Sequence, residues 1–359
     1  MPPSSPGTAR NTEPMTTGTT NGSGAQPTLE AVAARAGVGR GTVSRVINGS
    51  PQVSERTRVR VLRAVDELGY VPNMAARALV TRRTGAIALV ISESEERVFG
   101  EPFFAGVVRG ITTVVGEASR QLVLALVQTR EQVDRLDTYL TPQHVDGVLM
   151  LSAHDADTLP GLIQGRGLPI VFCGRPNGLA HASYVDVDNA GGAQAAVTHL
   201  FDKGRSVVAH IAGPQDMLAG RDRRDGYRAA VQAAGSTADD SLVEVGDFSE
   251  ASGAAAMRAL LERRPDIDAV FAASDLMALG ALRVLRDAGR TVPGDVALVG
   301  FDDGPLAALS DPPLTTVHQP MEELGRAMAT MLLGQIRDGG VLAPEQLVLD
   351  TALVERASG

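Results

Sequence analysis

Apolar positions in this chain recur with two different patterns, and the change between them divides it. From residue 28 to residue 79 they fall at helical spacing. Leu29, Val32, Ala33 and Ala36 share one face of a short helix that Thr28 can cap, with Glu30 in its first turn. Gly37 stands where a helix stop needs a left-handed residue, and Val38 can pack beneath that turn. A second helix is expected over residues 40–48, with Val43, Val46 and Ile47 inward and Arg40, Gly41, Ser44 and Arg45 outward. Ser54 can cap a third, whose apolar side carries Val61, Leu62, Val65 and Leu68, and a Pro72-Asn73 step leads into a fourth. This spacing fits a helix-turn-helix that displays one arginine-bearing helix, and it also fits any small three-helix domain.

Past residue 84 the pattern changes to unbroken aliphatic runs at 87–91, 122–126, 147–151, 169–173, 207–211, 242–245, 269–273 and 296–301. Helical stretches lie between them, among them 104–119, 191–203, 222–234, 252–263 and 276–288. Aliphatic runs without alternation are strands covered on both faces, and crossover helices make their sheets parallel. The remaining length suits two such α/β lobes. Residues 185–189 read as the crossing between them and 314–319 as a crossing back to the first. Residues 346–355 read as one final strand.

Charge sharpens the first segment. The chain as a whole carries a formal −9, yet residues 28–84 hold ten arginines against four acidic residues, a net +6. The first 27 residues balance, so −15 falls on the rest. A basic head on an acidic body focuses phosphate attraction at one end, whereas a merely solvated helix face mixes its signs.

Other chemistry is sparse. Cys173, the single cysteine, ends an aliphatic run, excludes an intrachain disulfide and fits a small buried hydrophobe in a reducing cytosol. No secretory apolar segment and no apolar run of membrane-spanning length occurs, so a cytoplasmic chain without membrane contact is expected. There is no dinucleotide fingerprint, Walker lysine loop or zinc-protease helix, and the six histidines show no metal-type pairing. Neither enzymatic activity nor a cofactor or metal is expected. Residues 1–27, rich in Ser, Thr, Gly and Pro, are expected to be a disordered extension.

The segments GVGRGTVSRVING (residues 37–49) and YVPNMAARAL (residues 70–79) together resemble the LacI–GalR family of bacterial transcription regulators. The resemblance continues more weakly to about residue 355. It implies a helix-turn-helix DNA-binding domain over 28–73 and a hinge helix over 74–83. Residues 84–359 would then form an effector-binding and dimerisation domain of periplasmic-binding-protein type. Its first lobe would span about 84–185 plus 315–328, and its second about 186–313 plus 329–359. By the same resemblance Arg40, Gly41 and Arg45 occupy base-reading positions, while Thr42, Ser44 and Asn48 touch phosphates or support the helix. Thr28 and Asn73 join this DNA-binding set. Leu79, with Ala76 beside it, sits where the family wedges an apolar side chain into the minor groove. Gly41 has no side chain to read a base edge, so that base would be unspecified or read by neighbours.

Ligands of parallel sheets sit beyond the carboxyl ends of the strands, where Ser92, Ser152, Ser274, Asp275, Asp302 and Asp303 fall. A single Ser or Asp there is most often a helix cap or turn former. The resemblance singles out Asp302, in VGFDD, for the ligand, and allows Asp275 a structural role. It also assigns the ligand Arg221, the first arginine of GRDRRDGY, although a mixed run alone reads as a solvated helix start. Phe103 and Phe104 alone read as core, but the resemblance puts at least one on the ligand's rim. Phe248 offers an aromatic face. The set Phe103, Phe104, Ser152, Arg221, Phe248, Ser274, Asp275 and Asp302 suits a polyhydroxylated sugar. A purine-like effector is the alternative, and a free solute-binding transport protein is disfavoured because it has no use for residues 28–84. The expectation is a repressor gated by a cleft ligand. One recognition helix reads too few bases, so a homodimer on a palindromic double-stranded operator follows. No leucine heptad follows 346–355, so a dimer is expected rather than a tetramer.

Overall fold

The computed structural model describes residues 27–47, 49–71, 83–179, 181–237, 239–339 and 343–359. Residues 1–26 and most of the expected hinge helix lie outside the described residues, and so do Asn48, Asn73, Ala76 and Leu79. The chain divides after Met74 into two units.

In the first unit Leu29–Ala36, Arg40–Ile47 and Glu55–Leu68 are helices. Thr28 caps the first, its hydroxyl accepting from the Ala31 amide at 3.2 Å. Gly37 closes that helix at φ 64°, a conformation a side chain would strain, and so sets the turn into the second helix. Val32, Val43, Val46, Val61 and Ala64 form the core. Two expectations change here. Ser54 stands before the third helix but its hydroxyl bonds Thr57 Oγ1 at 3.0 Å instead of a backbone amide. Leu62 is half exposed, and Ala64 takes the core position.

The second unit contains two six-stranded sheets. The first is wholly parallel, in the order Gln346–Leu349, Ser183–Val187, Ile170–Cys173, Gly147–Leu151, Ala86–Ile91, Gln121–Leu126. The second runs Ala352–Val354, Thr315–His318, Ala297–Asp302, Ala269–Ala272, Val208–Ala212, Val243–Val245, with only its first strand antiparallel. Each sheet is covered on both faces by apolar side chains, which is why its strands show no alternation.

The lobe boundaries near the C-terminus differ from expectation. Thr315–His318 is not a return to the first lobe but a strand of the second sheet, paired with Ala297–Asp302. Its polar residues are satisfied there: Thr316 donates to Asp275, and Thr315 Oγ1 accepts from the Arg356 amide at 2.9 Å. The chain crosses back after it, and the helix Met321–Arg337 buries Leu324, Met328, Leu332 and Ile336 in the core of the first lobe along its whole length. The single final strand expected at 346–355 is two strands, one in each sheet.

That returning helix packs closely against Pro102–Glu117 through paired glycines. A Cβ on Gly110 would lie 2.1 Å from the Glu322 carbonyl oxygen, and one on Gly325 would lie 2.1 Å from that of Val107. Neither backbone can yield, so Gly110→Ala separates the helices. We expect it to cost about 1–3 kcal/mol, as overpacking does. A lowered thermal midpoint in calorimetry checks this, and an unchanged midpoint contradicts it.

Candidate DNA-reading helix and effector cleft

On Arg40–Ile47 the buried residues are Val43 and Val46, which leaves Arg40, Gly41 and Arg45 exposed and Thr42 and Ser44 half-buried. Arg45 Nε donates to the Gly41 carbonyl at 3.3 Å, and Arg40 pairs with Glu30 at 3.1 Å, where both are exposed. Such a surface pair is worth little and gives way readily to a phosphate or base edge. A Cβ on Gly41 would meet only the Arg45 guanidinium, at 4.0 Å. That position is open to solvent on the exposed face of the helix.

Between the two lobes lies a cavity lined by Phe103, Phe104, Ser152, Phe248, Ser274, Asp275 and Asp302, seven of the eight residues expected for the effector. The eighth, Arg221, is elsewhere. Its guanidinium holds Asp155, with Nη1–Oδ2 2.5 Å and Nη2–Oδ1 3.0 Å. Arg223 takes the place expected for Arg221. It is 5% exposed, lies 3.7 Å over the Phe301 ring, and donates to Asn189 Oδ1 at 2.9 Å and to the Ala273 carbonyl at 2.6 Å. Its Nη1 is 3.6 Å from Asp302 Oδ1.

Asp302 ends its strand at φ 124° and accepts from Gln319 Nε2 at 2.6 Å. Burial pushes its carboxyl up to about 6, against the pull of the Arg223 guanidinium. Asp275 is spent differently. It accepts from the Gly304 amide at 2.8 Å and from Thr316, and burial beside Asp302 holds its carboxyl well above the ordinary range. Asp275 thus stitches the ends of the strands and only edges the cavity. Ser274 caps the helix Asp275–Asp287 through the Met277 amide and donates to the Phe248 carbonyl at 3.2 Å.

That last bond helps hold Phe248 at φ 72°, a left-handed conformation that costs an aromatic residue about 1 kcal/mol or more. The ring consequently faces Arg223 at 5.6 Å and Arg97 at 5.9 Å. Phe104 is core, 1% exposed, and Phe103 meets it edge-on at 5.4 Å. Ser152 also takes a left-handed turn, at φ 55°.

Sequence reasoning missed Arg97, Glu101, Arg223 and Gln319, all of which line the cavity. Arg97 lies on the short helix Glu95–Gly100, and its Nε donates to Glu101 at 2.6 Å. Past Arg223 and Gln319 the cleft continues to Arg175, Asp186 and Asn189. The two chambers have volumes of about 90 Å³ and 80 Å³.

A helix-turn-helix headpiece followed by a two-lobed α/β unit with a cleft is the architecture of a DNA-binding regulator with a ligand-binding domain. Residues 28–73 match the family model described as bacterial regulatory proteins, lacI family, and residues 197–359 match the periplasmic binding protein-like domain. The chain is 55% identical over 336 residues to the HTH-type transcriptional regulator CelR of Thermobifida fusca, covering 93% of this chain and 98% of that one. It is 35% identical over 333 residues to the ribose operon repressor of Escherichia coli, covering 92% and 99%. A solved CelR–cellobiose complex, 54% identical, matches with a TM-score of 0.75 over 93% of this chain and all of that one. A lac repressor dimer bound to operator and an anti-inducer, 27% identical, matches with a TM-score of 0.80 over 93% and 99%. The chain belongs to the LacI family of bacterial regulatory proteins and is a DNA-binding transcriptional regulator. Among the described residues no helix is long and apolar enough to cross a membrane.

Proposed function

We propose that this regulator is a cytoplasmic homodimeric repressor that binds a palindromic operator and is gated by a neutral sugar, a β-linked glucose disaccharide such as cellobiose. The observation that carries the effector is the lining of the cleft. Phe248 offers a ring face, Arg223 and Arg97 donate, and Asp302, Glu101 and Gln319 accept or donate around it. An aromatic face ringed by bidentate donors and carboxyl acceptors suits the apolar faces and many hydroxyls of a pyranose. Two guanidinium groups face three carboxyl groups, so no surplus positive charge is left to hold a phosphate. The second chamber supplies space for a second ring. Cellobiose is the ligand named in the similar solved CelR complex, which supports the choice.

Dimerisation is supported by apolar side chains on the sheet edges: Leu124 on Gln121–Leu126 is 44% exposed and Val245 on Val243–Val245 is 50% exposed. The similar lac repressor was solved as a dimer on its operator. On this reading Arg40 and Arg45 read bases, Leu79 wedges the minor groove, and ligand closure of the lobes changes how the hinge segments are presented. A thermal-shift panel tests the effector. Cellobiose is expected to raise the midpoint of the sensor by several degrees, as ligand linkage requires, while glucose 6-phosphate and guanine leave it unmoved. Stabilisation by guanine alone would overturn the sugar reading.

A further inference from the structure

One rim of the cleft joins the lobes through side chains that the ligand contacts leave unused. His154, in the loop after the first-lobe strand Gly147–Leu151, has both ring nitrogens on carboxylates. Nδ1 is 2.8 Å from Asp216 Oδ2 of the second lobe, and Nε2 is 3.2 Å from Glu93 Oε1 of the first. Carboxylates only accept, so a ring with two such partners donates from both nitrogens and is an imidazolium. The next residue repeats the tie, since Asp155 receives the Arg221 fork and donates its amide to the Asp216 carbonyl at 3.0 Å. Glu93 is only 6% exposed and also holds Arg97 at 2.6 Å. Arg97 in turn lines the ligand cavity beside Phe248 and Glu101. A continuous line of charged contacts thus runs from the wall of the cavity to the second lobe.

We propose that His154 is an ionic latch that reads occupation of the cavity as closure of the lobes, with Arg97 and Glu93 at its ligand end and Asp216 at the end on the opposite lobe. This rests on the effector-cleft reading and adds to it a positioning residue that touches no ligand. The charged groups facing His154 are Glu93 from the end of the first strand, with Arg97 of Glu95–Gly100 behind it, and Asp216 and Arg221 from the second lobe. Asp155 and Asp157 belong to its own loop, and Asp157 accepts the His154 backbone amide at 3.0 Å.

The imidazole is held up to about 9, first by its hydrogen bond to Glu93 and then by that to Asp216, against burial. Opening the lobes removes Asp216 and leaves Glu93, so the group binds its proton more tightly when closed. Closure therefore takes up protons. While both carboxylates stay ionised, its contribution is complete below the pH at which the open-state imidazole titrates, and it is lost as pH rises towards and through about 9.

Calorimetric titration of the full chain with cellobiose tests the latch in wild type, His154→Gln, Asp216→Asn and the double variant. Between about pH 7 and about pH 9.5 wild type should lose about five-fold in affinity, the scale of one partly exposed charge-assisted bond. His154→Gln should show that loss already at neutral pH and a flat profile above it. The double variant should bind no worse than either single one, the signature of one shared interaction. Additive losses, or a His154→Gln profile that follows wild type, would overturn the latch. If wild type takes up no cellobiose, the sugar assignment falls and small-angle scattering decides the latch separately. The radius of gyration should then rise with pH in wild type but not in His154→Gln, and identical behaviour of the two overturns the proposal.

Discussion

Arg223→Ala is expected to abolish the response to sugar while operator binding survives. The side chain lays one face on Phe301 and uses two of its five N–H donors on Asn189 and the Ala273 carbonyl, which leaves donors free in the ligand cavity, where it stands 3.6 Å from Asp302. Each charged hydrogen bond lost to a ligand is worth about tenfold or more, so loss of the fork should weaken cellobiose binding by about a hundredfold. The variant also leaves Asp302 as a largely buried charge without its partner, a change that costs about 3–5 kcal/mol of stability in comparable cases. Arg223→Lys separates the two effects. It keeps the charge and most of the stability but cannot make the two-pronged contact, so sugar affinity should still collapse. Arg221→Ala is the contrast. It removes a tie between the lobes and no ligand contact, so only a several-fold weakening is expected from it. Calorimetry on the three variants checks this order, and equal losses in Arg221→Ala and Arg223→Ala would contradict the assignment.

The second large effect is expected at the other end of the molecule. Leu79→Ala should lower operator affinity by about 10- to 100-fold and leave affinity for random DNA within a few-fold. The wedge repays unstacking of a base step only where the site is bent to receive it. Non-specific binding instead comes from phosphate attraction by the basic segment, which this change does not touch. Anisotropy titrations on an operator duplex and a scrambled duplex give the two numbers, and equal losses on both would remove the wedge role.

Much of this was readable from residue order. The unbroken aliphatic runs implied sheets covered on both faces, and the Gly37 turn followed by outward arginines fitted a helix-turn-helix, though spacing alone also fitted any small three-helix domain. What the sequence concealed has definite physical reasons. Arg221 and Arg223 are two residues apart on one helix and so point to nearly opposite sides at about 100° per residue. The helix starts at Leu218, earlier than its apolar residues suggest, and its buried stripe runs Arg223, Tyr227, Ala230. Extending the Tyr227–Ala230 stripe back by one turn reaches Arg223 and was the available signal. Arg97 was invisible because its helix is too short to show periodicity. Thr315–His318 passed for a crossing because two threonines and a histidine do not look like a core strand. They sit in the second sheet because Asp275 and the Arg356 backbone satisfy the threonine hydroxyls.

On the proposed function, a sugar in the cleft changes what the headpiece does on DNA. This is tested most directly by titrating a fluorescent operator duplex with the full chain, with and without saturating cellobiose, in wild type and in Arg223→Lys. We predict that cellobiose shifts wild-type operator affinity by about tenfold or more, within the usual range for two coupled sites, and leaves Arg223→Lys unmoved. A wild-type operator affinity that is the same with and without cellobiose would contradict the account.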